Sequence, residues 1–261
     1  MNKIIYQISM PRSGSTALMR SFEKRGNFKI IHEPTVMPFD LIHYKGESNN
    51  WFRQDHYMKT YKSVKEVITR EAKTSNIYIK DMIFSCHEWL LDDIEFSSRS
   101  NIHFVLMVRD PYDNMVSMYK KAGLFAINET MIYRKMYNFY KNISAINPNK
   151  VIIIKANELF NDPQTQLKKL SDDLGIPYSD EYLKWEPKNP DYDGIEWMES
   201  KTIKHFHHWH YDAITSTKFV PLPTYKKDFS QIPSEHLEYM KSLYYPNQEY
   251  YDKIFEDLNK N

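Results

Sequence analysis

Cysteine occurs once in 261 residues, at Cys86. A single thiol excludes an intrachain disulfide and fits a reducing compartment. An excess of one charge is also lacking: 35 basic residues stand against 34 acidic ones. Bulk charge therefore gives nucleic acid no footing, and any basic site has to be local. Long hydrophobic runs are missing too. At the N-terminus one lysine, Lys3, precedes a short apolar stretch that Gln7 interrupts, which does not read as a secretory leader, and no run reaches the length of a membrane span. A cytoplasmic protein without a membrane span is expected. Glycine is scarce at 6 residues, so a glycine inside a motif carries more weight than usual. Internal repeats, low-complexity tracts and linkers are absent as well, and the length suits one domain over 1–261 with a substantial core.

What the chain does have is aromatic side chains (20 Tyr, 14 Phe, 5 Trp) and an alternation of strand-like and helix-like stretches. Ile4–Ile8 reads as a buried strand, Phe28–Ile31 as a second and Ile77–Met82 as a third. Ile102–Val108 is almost wholly apolar, as a parallel strand covered on both faces should be, and Val151–Ile154 is the last clear strand. Helices are expected after the first strand as far as Gly26, from Ser63 with Glu66 as a capping box, from Pro111, over Met131–Ile143, and from Pro163 with Asp162 as cap to Gly175. Residues 34–61 lack a period and suit a long loop. Alternating elements imply an α/β fold with a mostly parallel central sheet flanked by helices, its ligand lying outside the carboxyl ends of the strands.

The first strand leads through Pro11-Arg12-Ser13-Gly14-Ser15-Thr16 into a helix. Strand, tight turn and helix N-terminus in that order converge backbone N–H groups and the positive end of a helix dipole, which suits a phosphate-like group. Arg12 adds a fixed cation, and Ser15 and Thr16 add hydroxyls. No Gly-Lys-Ser/Thr ending follows, so the turn differs from a nucleoside-triphosphate loop. The plain alternative is a capped connection with Ser15 or Thr16 as N-cap.

Pro11 to Arg20 resembles the 5′-phosphosulfate loop of the sulfotransferases, closest in motif to the tyrosylprotein sulfotransferases and to bacterial enzymes carrying PRSGST. The resemblance implies a P-loop-like three-layer fold and 3′-phosphoadenosine 5′-phosphosulfate as donor. Arg12 and the Ser13, Gly14, Ser15, Thr16 and Ala17 segment would hold the phosphosulfate. Arg109 ends a strand and Ser117 follows on the next helix, which resembles the family's 3′-phosphate motif; the alternative pairs Arg109 with Asp110 or Asp113.

Glu33 resembles the family's catalytic base, because a hydroxyl acceptor needs its proton removed during attack. His32 is the rival base, and strand alternation would send the two side chains to opposite faces, so that only one meets the sulfate. Lys80, followed by Asp81, looks like the lysine that meets the bridging oxygen. Arg12, Glu33 and Lys80 are thus the candidate catalytic set. The histidine of cytosolic sulfotransferases has no counterpart, since Met82 stands there. Ser216 and Thr217 resemble a C-terminal segment that closes over the donor, and Lys155–Pro163 resembles a family block without its usual tyrosine.

His205–His210 invites a metal reading, but no cysteine pair or HExxH pattern accompanies it and sulfuryl transfer needs no metal, so an aromatic and histidine surface is expected instead. The expected partner is a small-molecule or peptide hydroxyl acceptor. Two rivals stay open: a kinase-like P-loop enzyme and a catalytically silent nucleotide-binding protein of the same fold.

Overall fold

Burial along the first strand, β1 (Ile4–Ser9), sets the architecture, because its side chains alternate between two apolar layers. Ile4, Tyr6 and Ile8 join one cluster and Ile5 joins the other. In the computed structural model, residues 1–43, 60–123, 131–148, 150–188, 196–197, 200–201 and 207–258 are described.

The chain continues through α1 (Ser15–Lys24), β2 (Phe28–His32), α2 (Val36–His43), α3 (Tyr61–Glu71), β3 (Asn76–Met82), α4 (Ile83–Asp92), α5 (Ile94–Ser97), β4 (Ile102–Val108) and α6 (Pro111–Ala122). Then follow α7 (Ile132–Ile146), β5 (Val151–Lys155), α8 (Ala156–Asn161) and α9 (Pro163–Leu174). Two short strands, β6 (Glu196–Trp197) and β7 (Ser200–Lys201), precede α10 (His207–Thr215) and α11 (Leu237–Leu258).

The five long strands form one parallel sheet in the order β2-β3-β1-β4-β5, as the alternation of elements implies. The connection from β1 runs to β2 and that from its neighbour β3 runs the other way to β4, so a crevice opens at the carboxyl ends of these two strands. The register brings three strand ends level there: Ser9 of β1 lies opposite Met82 of β3 and Met107 of β4.

On one face Tyr6, Ile79 and Phe104 pack with Val64, Trp89 and Phe139 from α3, α4 and α7. On the other, Ile5, Tyr78 and Val105 pack with Leu18, Phe22 and Leu167 from α1 and α9. Burying a large apolar side chain contributes about 1.5–3 kcal/mol, so these layers hold the strand ends in register.

Local chemistry accounts for four of the helix starts, those of α3, α5, α6 and α9. Asp110 accepts from the N–H groups of Tyr112 (2.9 Å) and Asp113 (3.2 Å), with Pro111 opening α6. Asp162 caps α9 in the same manner, and Gly175 ends it at φ 59°.

Two expectations need correction. The capping box of α3 is Thr60 with Ser63, one turn before Ser63 with Glu66, because Thr60 has the extended backbone that a cap requires. The stretch expected as loop from 34 to 61 contains α2, while residues 44–59 lie outside the described residues. Among the described residues no helix is long and apolar enough to cross a membrane.

Candidate active site

The crevice at the end of β1 holds a cleft of about 420 Å³. Its floor is the turn between β1 and α1. Arg12 and Gly14 both take left-handed backbone, at φ 61° and φ 83°. For glycine this conformation is free of strain, but for arginine it is not. Gly14 is also the N-cap and contributes no side-chain cap, so the cap role considered for Ser15 or Thr16 falls to a residue without a side chain. A Cβ at position 14 would lie 2.5 Å from the Phe160 ring, so both backbone angle and close approach require glycine here. Ser13 turns inward and donates to the Met10 carbonyl at 2.8 Å.

Arg109 stands one residue beyond β4 and is 1% exposed. Instead of pairing with Asp110 or Asp113 at the surface, it donates through Nη1 to the Arg12 carbonyl (2.7 Å) and through Nη2 to the Pro223 carbonyl (2.5 Å). Its buried Nε has no hydrogen-bond partner. Burial pulls this guanidinium below its ordinary value, opposed by the charge of Asp113. Ser117, two turns into α6, accepts from Arg12 Nε at 3.4 Å, so Arg12, Arg109 and Ser117 meet at one end of the cleft. Asp212 of α10 approaches Arg12 Nη2 at 4.0 Å from a largely exposed position.

Glu33 and Lys80 form the other end. Both are buried, at 3% and 0% exposure, and the Lys80 ammonium contacts Glu33 Oε1 directly. Lys80 lies opposite Gln7 in the register, on the α1 face of the sheet. Strand alternation would send Glu33 to the other face. Its φ of 47° turns the carboxylate back toward Lys80 and leaves His32 Nε2 3.6 Å away. The expectation that His32 and Glu33 face opposite sides is therefore corrected, since alternation holds only while the backbone stays extended. Glu33, not His32, borders the cleft.

Behind Lys80, on the opposite face of β3, Asp81 is fully buried. Its Oδ2 accepts from Tyr6 Oη at 2.7 Å and Thr35 Oγ1 at 2.8 Å, and its Oδ1 accepts from the Met82 N–H at 2.9 Å. Burial raises this carboxyl to about 7, while the three donors oppose the rise.

The remaining walls come from remote parts of the chain. Phe160 of α8 and Leu222 lie above Gly14, whereas Val36, Met82 and Phe84 flank the Glu33 end. Sequence reading missed Phe160, Phe84, Asp212 and Leu222. Only the family block at Lys155–Pro163 pointed near one of them. Ser216 borders the cleft. Thr217 does not, and its carbonyl accepts from the Trp185 N–H at 2.9 Å. The side chains of His205–His210 lie outside the described residues.

A 248-residue stretch is 28% identical to the branched-chain-amino-acid aminotransferase-like protein 2 of Arabidopsis thaliana, covering 93% of this chain and 41% of that protein. The chain thus spans about two fifths of the length of the curated relatives it matches. Among solved structures it is similar to the sulfotransferase domain of the Synechococcus PCC 7002 olefin synthase, with 14% identity, TM-score 0.48, and coverage of 94% of this chain and 95% of that one. It is also similar to mouse sulfotransferase SULT7A1 complexed with PAP, with 15% identity, TM-score 0.45, and coverage of 99% and 85%. The sulfotransferase family model matches residues 5–180, from the first strand past the helix after the last long one, and on that match the chain belongs to the sulfotransferase family.

Proposed function

We propose that this chain transfers a sulfuryl group from 3′-phosphoadenosine 5′-phosphosulfate to a hydroxyl acceptor, as one domain over 1–261 acting without a metal. The observation that carries the reading is one cleft with two unlike ends: Arg12, Arg109 and Ser117 at one, the Glu33–Lys80 pair at the other. The donor fits the residues present. Arg109 keeps a buried Nε without a partner, and Gly14 leaves a backbone cradle under Phe160 that any side chain would fill.

When bound, the donor supplies the sulfur: an S–O bond to the acceptor forms as the S–O bond to the 5′-phosphate breaks, and the electron pair stays on the phosphate oxygen. Arg12 and the backbone of residues 13–17 hold the phosphosulfate, Arg109 and Ser117 hold the 3′-phosphate, and Ser216 flanks the donor. Glu33 takes the acceptor proton, and Lys80 offsets the negative charge that grows on the leaving oxygen. Val36, Met82 and Phe84 form an apolar wall beside Glu33, which suits an uncharged acceptor surface, a small alcohol or phenol more than an acidic peptide.

Calorimetry with 3′,5′-adenosine bisphosphate tests the reading. Binding should occur without Mg²⁺, and ATP with Mg²⁺ should bind less well. Arg12→Ala should weaken nucleotide binding and slow transfer together, whereas Glu33→Ala should abolish most transfer and spare affinity. No heat with the bisphosphate, or equal losses in both variants, would overturn it.

A further inference from the structure

Glu33 departs from extended geometry at the end of β2, and the surroundings show what keeps it there. Its backbone N–H donates to the Lys80 carbonyl at 2.5 Å, its carboxylate contacts the Lys80 ammonium, and its carbonyl accepts from the Val36 N–H at 3.3 Å. A left-handed backbone at a non-glycine residue is strained and persists only where neighbours over-determine it. One neighbour lies outside the cleft. Thr35, two residues on and fully buried, donates to Asp81 Oδ2 at 2.8 Å and shares a 2.8 Å hydrogen bond with Ser85 Oγ.

Asp81 lies on the face of the sheet that packs Tyr6, Ile79 and Trp89, where an apolar side chain would be less costly than a carboxylate. We propose that Asp81 is a positioning residue: from the face of the sheet turned away from the cleft it grips Thr35, and through Thr35 it holds the 33–36 turn so that Glu33 meets Lys80. Adjacent residues of one strand then do complementary work. Lys80 faces the reacting groups and orients the carboxylate directly, while Asp81 faces the core and anchors the turn that carries it. Tyr6 supports the anchor by donating to the same oxygen. This inference rests on the proposed role of Glu33 for its kinetic consequence, but not for its structural one.

Two substitutions at Thr35 separate anchoring from bulk stability, because valine keeps the shape and removes the donor whereas serine keeps the donor. In crystal structures, Thr35→Val should release Glu33 from its left-handed backbone and from Lys80, and Thr35→Ser should retain both. With radiolabelled donor and 4-nitrophenol as acceptor, Thr35→Val should lower kcat by about 10–100-fold with donor KM within about twofold. Serine should restore the rate, and valine should cause no further loss in a Glu33→Ala background. Asp81→Asn should move kcat in the same direction.

Glu33 still seated on Lys80 in Thr35→Val, or an equal further loss in the Glu33→Ala background, would overturn the inference. If the wild-type protein neither binds the bisphosphate nor transfers sulfate, the sulfuryl-transfer reading falls, and the two crystal structures still decide whether Asp81 holds the turn.

Discussion

The two ends of the cleft carry charge in opposite ways. At the Arg109 end the cation is tied to neutral backbone carbonyls of Arg12 and Pro223, with one N–H left over. At the Glu33 end, cation and carboxylate neutralise each other inside the protein. A guanidinium held by carbonyls keeps its full positive charge for an incoming anion, whereas a paired lysine is already compensated. The first end thus holds the Arg109 cation on carbonyl oxygens alone, whereas the second holds its cation against a carboxylate.

Breaking the second end should have the largest effect. Lys80→Met removes the ammonium that contacts the buried Glu33 carboxylate, and thermal or denaturant unfolding should show a loss of about 3–5 kcal/mol. The converse change, Glu33→Gln, removes the charge but keeps a hydrogen-bonding group and should be milder.

The next effect concerns the carboxyl behind that pair. Raised to about 7 from an ordinary value near 3.8, Asp81 favours the folded state most at low pH, and this contribution is lost as pH rises through the folded value. Asp81→Asn abolishes the titration, so its stability relative to wild type should improve by on the order of 3 kcal/mol between about pH 5 and pH 8, as read from paired urea curves. No change with pH would mean that the carboxyl titrates normally.

The smallest effect is expected at the first end. Ser117→Ala removes one long hydrogen bond at 3.4 Å and should leave stability within about 0.5 kcal/mol. It should weaken bisphosphate binding by about tenfold or less in calorimetry, in keeping with one neutral donor among charged ones.

Much of this contrast was legible in the sequence. The β1–turn–α1 unit, the apolar β4 run and the Asp-Pro starts of α6 and α9 are local signals, and local signals survive folding. Arg12, Glu33, Lys80, Arg109 and Ser117 stood at strand ends or one helix away, and parallel strands bring such positions to one edge.

Other features were hidden for physical reasons. Helix α2 contains Pro38 and lacks an apolar period, and α4 starts directly from β3 with Met82 as an extended cap, so no turn residue announces it. The direction of Glu33 depends on a single positive φ that alternation cannot foresee. Phe160 and Leu222 meet Gly14 through tertiary packing between distant segments, which no spacing encodes.

Arg109 has one consequence for how this protein can be divided. The family match stops at residue 180, yet the guanidinium joins a carbonyl at residue 12 to one at residue 223. A fragment trimmed to the matched boundaries would strip away one of its two tethers along with Leu222 above the glycine, leaving the turn between β1 and α1 half-walled. The C-terminal third is therefore structural masonry for the N-terminal turn, and the minimal unit that keeps both tethers of Arg109 reaches at least as far as Pro223.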